Sequence, residues 1–121
     1  PLLTGTREAP DRRGMMGGIG TTNFTPGHLS RALFEGVAEQ FSRLYDAGVD
    51  AGASRRSRLV GAGNGIRRNP VLRAALESAF GLPMQVPAHT EEAAFGAALL
   101  ASVGAGERRS LAEASSAIEY V

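Results

Sequence analysis

The stretch Arg58-Leu-Val-Gly-Ala-Gly-Asn-Gly-Ile-Arg-Arg-Asn-Pro70 decides how this chain is read. Leu59-Val60 is a short apolar run, and such a run bounded by turn formers reads as a buried strand. Gly61, Gly63 and Gly65 follow at alternate positions. Lacking a Cβ, they tolerate positive φ and let a ligand approach the backbone closely. Asn69 then reads as an N-cap with Pro70 at the first helical position. A strand, a glycine turn and a helix start in that order present free N–H groups and partial positive charge, which suit phosphate.

Three readings of the turn stand side by side. A dinucleotide-binding fingerprint needs a third glycine at position 66, which is Ile66, and an acidic residue about 20 positions on, where Gly81 stands. A plain tight turn between strand and helix is the second. A nucleotide-binding turn of the sugar-kinase type is the third.

Working outward, Thr25 and Pro26 open a long helix that is expected to end near Asp46-Ala-Gly48. Leu29, Leu33, Val37, Phe41, Leu44 and Tyr45 recur at helical spacing and form its expected inner face, with Glu35, Glu39 and Arg43 on another. Residues 1–16 read as loop, and Met15-Met-Gly-Gly-Ile-Gly20 as a short strand weakened by glycine. Gly48 to Ser57 reads as a surface loop. Pro70 to Phe80 is a helix with Val71, Leu72, Ala75, Leu76 and Ala79 inward, stopped by Gly81. Met84-Gln-Val86 is a strand. Thr90 is the expected cap of a helix from Ala93 to Val103, with Glu91 and Glu92 in its first turn. That helix is rich in Ala and Gly, which permit close packing of backbones. Gly104 and Gly106 end it, and Ser110-Leu-Ala-Glu113 has the spacing of a capping box for a last helix. Alternation of strands and helices predicts an α/β fold.

Composition narrows the chemistry. The 121 residues suffice for one domain. There is no cysteine, so disulfides and thiolate metal sites are excluded. All 13 basic residues are arginine, which excludes a P-loop lysine, a Schiff-base lysine and a Ser-Lys dyad within this stretch. A net charge of +1 with scattered Arg-Arg pairs argues against a nucleic-acid binder. No apolar run approaches the roughly 20 residues of a membrane span. Pro1-Leu-Leu-Thr-Gly5 has neither the basic region nor the apolar core of a leader, so a cytoplasmic protein is expected.

Four segments in register resemble the FGGY family of carbohydrate kinases. Thr4-Gly-Thr-Arg-Glu-Ala-Pro10 with Arg13-Gly14 is similar to that family's Gly-x-Arg-x-x-Pro…Arg-Gly segment, and Arg31-Ala-Leu-Phe-Glu-Gly-Val-Ala38 to its Arg-Ala-x-x-Glu-Gly-x-Ala helix. The glycine-turn stretch continued to Leu72, with Phe80-Gly-Leu-Pro-Met84, is the third. Glu91-Glu-Ala-Ala-Phe-Gly-Ala-Ala-Leu-Leu-Ala101 is the fourth. Asn23-Phe-Thr-Pro-Gly27 and Arg68-Asn-Pro-Val-Leu72 look most like sedoheptulokinase-type members.

The resemblance, covering roughly residues 1–106, implies a protein that phosphorylates a sugar hydroxyl with ATP and Mg²⁺. It implies two lobes of the actin-like ATPase (ribonuclease H-like) type, residues 1–121 being a partial C-terminal nucleotide-binding lobe. The adenosine-binding turn maps to Gly61, Ala62, Gly63 and Asn64, and Arg67, Arg68 and Asn69 fall where adenine or ribose contacts are expected. Asn64 departs from the family's usual small residue. The family's catalytic aspartate and its Gly-Thr phosphate turn have no counterpart here, so no catalytic residue and no metal ligand is assigned. The sugar is expected mainly on an N-terminal lobe outside this stretch. On that footing the stretch alone is expected to be inactive, and to associate with the rest of the kinase or with itself. A dinucleotide-binding oxidoreductase piece and a non-catalytic interaction domain are the alternatives. His28 and His89 read as surface or structural histidines, and Glu91-Glu92 as a dipole-matched first turn.

Overall fold

A computed structural model describes residues 5–7 and 9–121. Thr4 and Glu8 of the first family-like segment lie outside the described residues, and the remainder of residues 5–16 is turn and coil. The described elements run α1 (Pro26–Asp50), β1 (Leu59–Val60), α2 (Asn64–Arg68), α3 (Pro70–Phe80), β2 (Met84–Gln85), α4 (Glu92–Gly104) and α5 (Leu111–Ser115).

Helix α1 starts as its sequence dictates. Thr25 is extended, and its Oγ1 accepts the His28 N–H at 3.3 Å. The helix passes the expected stop at Gly48 and ends at Asp50. The chain turns instead at Gly52, whose φ of 102° a Cβ would resist. Only part of the expected inner stripe is covered: Leu29, Leu33, Val37 and Tyr45 are half-buried, while Phe41 and Leu44 are exposed. The seam against α3 runs instead through Ala38, Ser42 and Tyr45. Ala38 is 1% exposed. The Ser42 hydroxyl donates to the Ala79 carbonyl at 3.2 Å, and the Tyr45 ring tilts against Phe80 at 5.6 Å between centroids. Periodicity marks the apolar side of a helix; which strip of that side finds a partner depends on what lies opposite.

The sheet has two parallel strands, Leu59 opposite Met84 and Val60 opposite Gln85. A parallel pair needs a crossover, and α2 with α3 supplies it. The core is small: Ala38, Leu76, Met84 and Val86, with Leu59, Ile66, Leu72, Ala75, Ala79 and Phe80 packed around them. Gly81, at φ 63° and ψ 25°, ends α3 in the left-handed conformation.

Several expectations give way. Met15 to Gly20 is coil, with Met15 and Ile19 exposed; no described strand lies beside it to satisfy its backbone. The glycine turn does not lead straight to Asn69-Pro70, because α2 intervenes. Val71 lies on the exposed side of α3. Val86 lies past β2 and exchanges hydrogen bonds with Val121, at 3.1 and 2.9 Å, on the opposite edge. There Pro87 and Tyr120 form an isolated antiparallel bridge, an unanticipated pairing of residues 119–121 with the segment after β2. Tyr120 lies beneath the Arg58 guanidinium, 5.0 Å from its ring centroid. Thr90 does not cap α4: Glu91 holds the N-cap position without a side-chain bond. The small residues Ala93, Ala94, Ala97, Ala98 and Ala101 lie exposed rather than packed. At α5, Ser110 caps as expected, but Glu113 reaches back to the Arg109 N–H at 2.9 Å rather than to that of Ser110.

Candidate functional site

The glycine turn joins β1 to α2, and its three glycines hold different places. Gly61 is buried, and its N–H donates to the Gln85 carbonyl at 3.0 Å. A Cβ there would fall 2.2 Å from Met84 Sδ and 2.9 Å from Ile66 Cγ2. Its lack of a side chain serves packing between turn and core. Gly63 caps α2 with φ 88°, and open space lies where its Cβ would be. Gly65 sits in the first turn of α2, also facing open space. Ile66, the residue that breaks the dinucleotide fingerprint, packs against the core beneath the turn.

The candidate contact residues are thus brought together as one short ledge. Ala62, Asn64 and Gly65 are exposed, Gly63 is half-buried, and Gly61 forms the ledge's buried root. Asn69 stands at its far end, where its Oδ1 accepts the Leu72 N–H at 3.0 Å and caps α3. That oxygen is committed to the helix start.

Arg67 is committed as well. Its Nε and Nη2 donate to Glu92 Oε1 at 3.0 and 2.7 Å, and Nη2 also reaches the Pro87 carbonyl at 2.5 Å and the His89 carbonyl. The guanidinium, for which an adenine or ribose contact was expected, thus ties α2 to α4 and to the connection after β2. Arg68, its neighbour, is exposed.

Glu92 is the residue that sequence reasoning missed. Its Oε1 accepts the Gly63 N–H at 3.1 Å in addition to the Arg67 donors. These donors stabilise the ionised carboxylate, the Gly63 N–H most and the Arg67 guanidinium next, with Glu92's own N–H behind them. They draw its pKa from 4.5 down to about 2. Nothing local in the sequence signals this role, because the partners stand 25 and 29 residues away. The consequence for the turn is chemical. The Gly63 N–H, one of the donors the turn could offer a ligand, already serves a carboxylate.

His89 is structural: its ring stacks on Phe95 at 3.8 Å and 22°, and its Nε2 lies 3.4 Å from the Ala117 carbonyl. His28 Nδ1 lies 2.8 Å from the capping Thr25 hydroxyl. An open groove of about 880 Å³ between α1 and α3 shares no residue with the turn. Among the described residues no three Asp, Glu or His side chains converge as a metal site would require. No step through Mg²⁺ is derived from the described residues. Gly63 and Gly65 leave open space beside the backbone, where a bound group could approach it. Among the described residues no helix is long and apolar enough to cross a membrane.

Comparison with known proteins bears on the same residues. The model for the FGGY family of carbohydrate kinases, C-terminal domain, matches residues 4–105. Sedoheptulokinase of Mus musculus is 32% identical over 106 residues, covering 83% of this chain and 21% of the relative. Glycerol kinase of Polaromonas sp. is 36% identical over 110 residues, covering 88% and 22%. Glycerol kinase of Myxococcus xanthus is 32% identical over 97 residues, covering 80% and 19%. The chain spans about a fifth of the length of the relatives it matches. No solved structure matches it.

Proposed function

The chain belongs to the FGGY family of carbohydrate kinases, its match to the family's C-terminal domain running from residue 4 to 105, and from that premise we propose that it forms the ATP-binding part of a sugar kinase. Residues 1–121 are one portion of an actin-like C-terminal lobe, a reading supported by helices packed with a small parallel sheet. The acceptor is a sugar or polyol hydroxyl, the class named by the sedoheptulokinase and glycerol kinase relatives. When bound, ATP supplies the phosphoryl group that passes to that hydroxyl.

The family match over residues 4–105 carries this reading. Phosphoryl transfer rests mainly on positioning and charge stabilisation, and this chain contributes positioning. Gly61 seats the turn against Met84, Gly63 and Gly65 leave the backbone open, and Ala62 and Asn64 border the space where the nucleoside lies. Asn69 fixes the start of α3 behind that ledge. The general base, the magnesium ligands and most of the sugar contacts belong to the remainder of the kinase. The oxidoreductase alternative loses its footing at Ile66, whose side chain fills the place beneath the turn.

Two measurements test the proposal. Titration of the isotope-labelled chain with ATP is expected to shift amide resonances at 61–65 and near Asn69; shifts confined to other residues would refute the site. A coupled assay of the chain alone with ATP and sedoheptulose or glycerol is expected to show no turnover, whereas the full-length protein turns over one such acceptor. Turnover by the purified chain would refute the division of labour.

A further inference from the structure

Four segments meet at the Arg67–Glu92 pair. The β1–α2 turn enters through the Gly63 N–H, and α2 through the Arg67 side chain. The connection after β2 enters through the Pro87 and His89 carbonyls, and α4 through Glu92. Among the described residues α4 packs broadly against α5 alone. The pair is therefore a principal polar pin between α4 and the turn. The two side chains are only 18% and 22% exposed. This sets them apart from the solvent-facing pairs Arg31–Glu35 and Glu39–Arg43, whose contribution is small. Removing one partner of a shielded pair leaves the other without its hydrogen bonds, the costly outcome.

We infer that Arg67 and Glu92 are positioning residues that fix the glycine turn in the orientation that receives the nucleoside end of the nucleotide. This inference rests on the reading of the turn as the ATP contact. The latch holds Gly63 at φ 88° by its N–H and so sets the direction in which the ledge at Ala62 to Gly65 faces. It also consumes the Gly63 donor. One cation and one anion cancel, so the latch adds no net charge that would draw a phosphate. A neutral base or ribose meets no such deficit. Hydrophobic and van der Waals contact with the bare glycine backbone is enough for it.

The experiment uses the full-length kinase and needs no sugar. Dissociation constants for adenosine and for inorganic tripolyphosphate are measured by calorimetry in wild type, Arg67→Met, Glu92→Gln and Gly63→Val. Arg67→Met is expected to weaken adenosine about tenfold, the equivalent of one hydrogen bond to a charged group, and to leave tripolyphosphate within about twofold. Glu92→Gln keeps an amide oxygen for the Gly63 N–H, so adenosine is expected to weaken by no more than about threefold. Equal loss of both ligands in Arg67→Met, or loss of neither while Gly63→Val weakens adenosine, overturns the latch. Unchanged adenosine affinity in Gly63→Val as well overturns the nucleotide reading of the turn. If Arg67→Met does not fold, Glu92→Gln decides: a tenfold loss of tripolyphosphate with adenosine unchanged refutes the inference.

Discussion

The three glycines of the turn look alike in sequence, and replacing each by alanine separates the physical reasons for them. At Gly61 the new Cβ falls 2.2 Å from Met84 Sδ, 3.0 Å from Met84 Cγ and 2.9 Å from Ile66 Cγ2. Met84 is 4% exposed and is packed with Leu76 and Val86, so its thioether can shift only at the expense of core packing. Overpacking of that kind costs about 1–3 kcal/mol. At Gly63 nothing lies within 4 Å, but φ is 88°. With ψ at 164° this is a region open essentially to glycine alone, and a residue with a Cβ held there costs about 1–3 kcal/mol. At Gly65 the space is open and φ is not in the left-handed region. Alanine there gains up to about 0.5–1 kcal/mol of helix propensity. Equilibrium urea unfolding of the three variants, followed by circular dichroism, is expected to rank them Gly65→Ala above wild type, then Gly63→Ala and Gly61→Ala below it. A second comparison isolates the contact. Met84→Val removes the clashing sulfur, so Gly61→Ala should cost less in that background than in wild type, a coupling of 0.5 kcal/mol or more by the usual scale of neighbouring residues, ~0.5–3 kcal/mol. A neutral Gly61→Ala, equal effects at all three positions, or strict additivity with Met84→Val would refute the packing argument.

The remaining predictions concern charge and assembly. Glu92 has a folded-state pKa of about 2 against an ordinary 4.5, a depressed value, so its stabilisation is complete above pH 4.5 and is lost as pH falls toward 2. Urea midpoints of wild type and Glu92→Gln should therefore converge across that window and differ by a constant amount from pH 6 to 8; a gap that changes between pH 6 and 8 would contradict it. Phe24, Phe41, Leu44 and Leu100 are exposed along with the alanine face of α4, and apolar area of that kind favours association. The isolated chain is expected to sediment as an oligomer at low micromolar concentration, and a cooperatively unfolding monomer would show that those faces need no cover.

Local signals carried far along this chain. Thr25-Pro26, Asn69-Pro70 and Gly81 each act within four residues, through a cap, a fixed φ or a left-handed turn, and the helix ends they mark stand where the sequence puts them. Leu59-Val60 and Met84-Gln85, the latter one residue short of the expected Met84-Gln-Val86, are short strands between turn formers joined by a helical crossover. The family resemblance was legible because four motifs kept their order. Met15 to Gly20 failed as a strand because a strand is a property of a pair, and no described neighbour pairs with it.

Which residues of the site touch one another was a tertiary decision. Sequence alone made Gly61, Gly63 and Gly65 equivalent, offered Arg67 to a ligand and left Glu92 as one of two carboxylates in a helix's first turn. Folding gave Gly61 to the Met84 side chain, tied Arg67 to Glu92 and the carbonyls of Pro87 and His89, and closed the Gly63 N–H with a carboxylate 29 residues away. The pairing of the chain's end with Val86 and Ala88 arose in the same way. Caps, turns and propensities act over a few residues, and the sequence displays them. Hydrogen bonds and packing across 25 residues or more exist only once the chain has brought their ends together, so they leave no periodic trace to read.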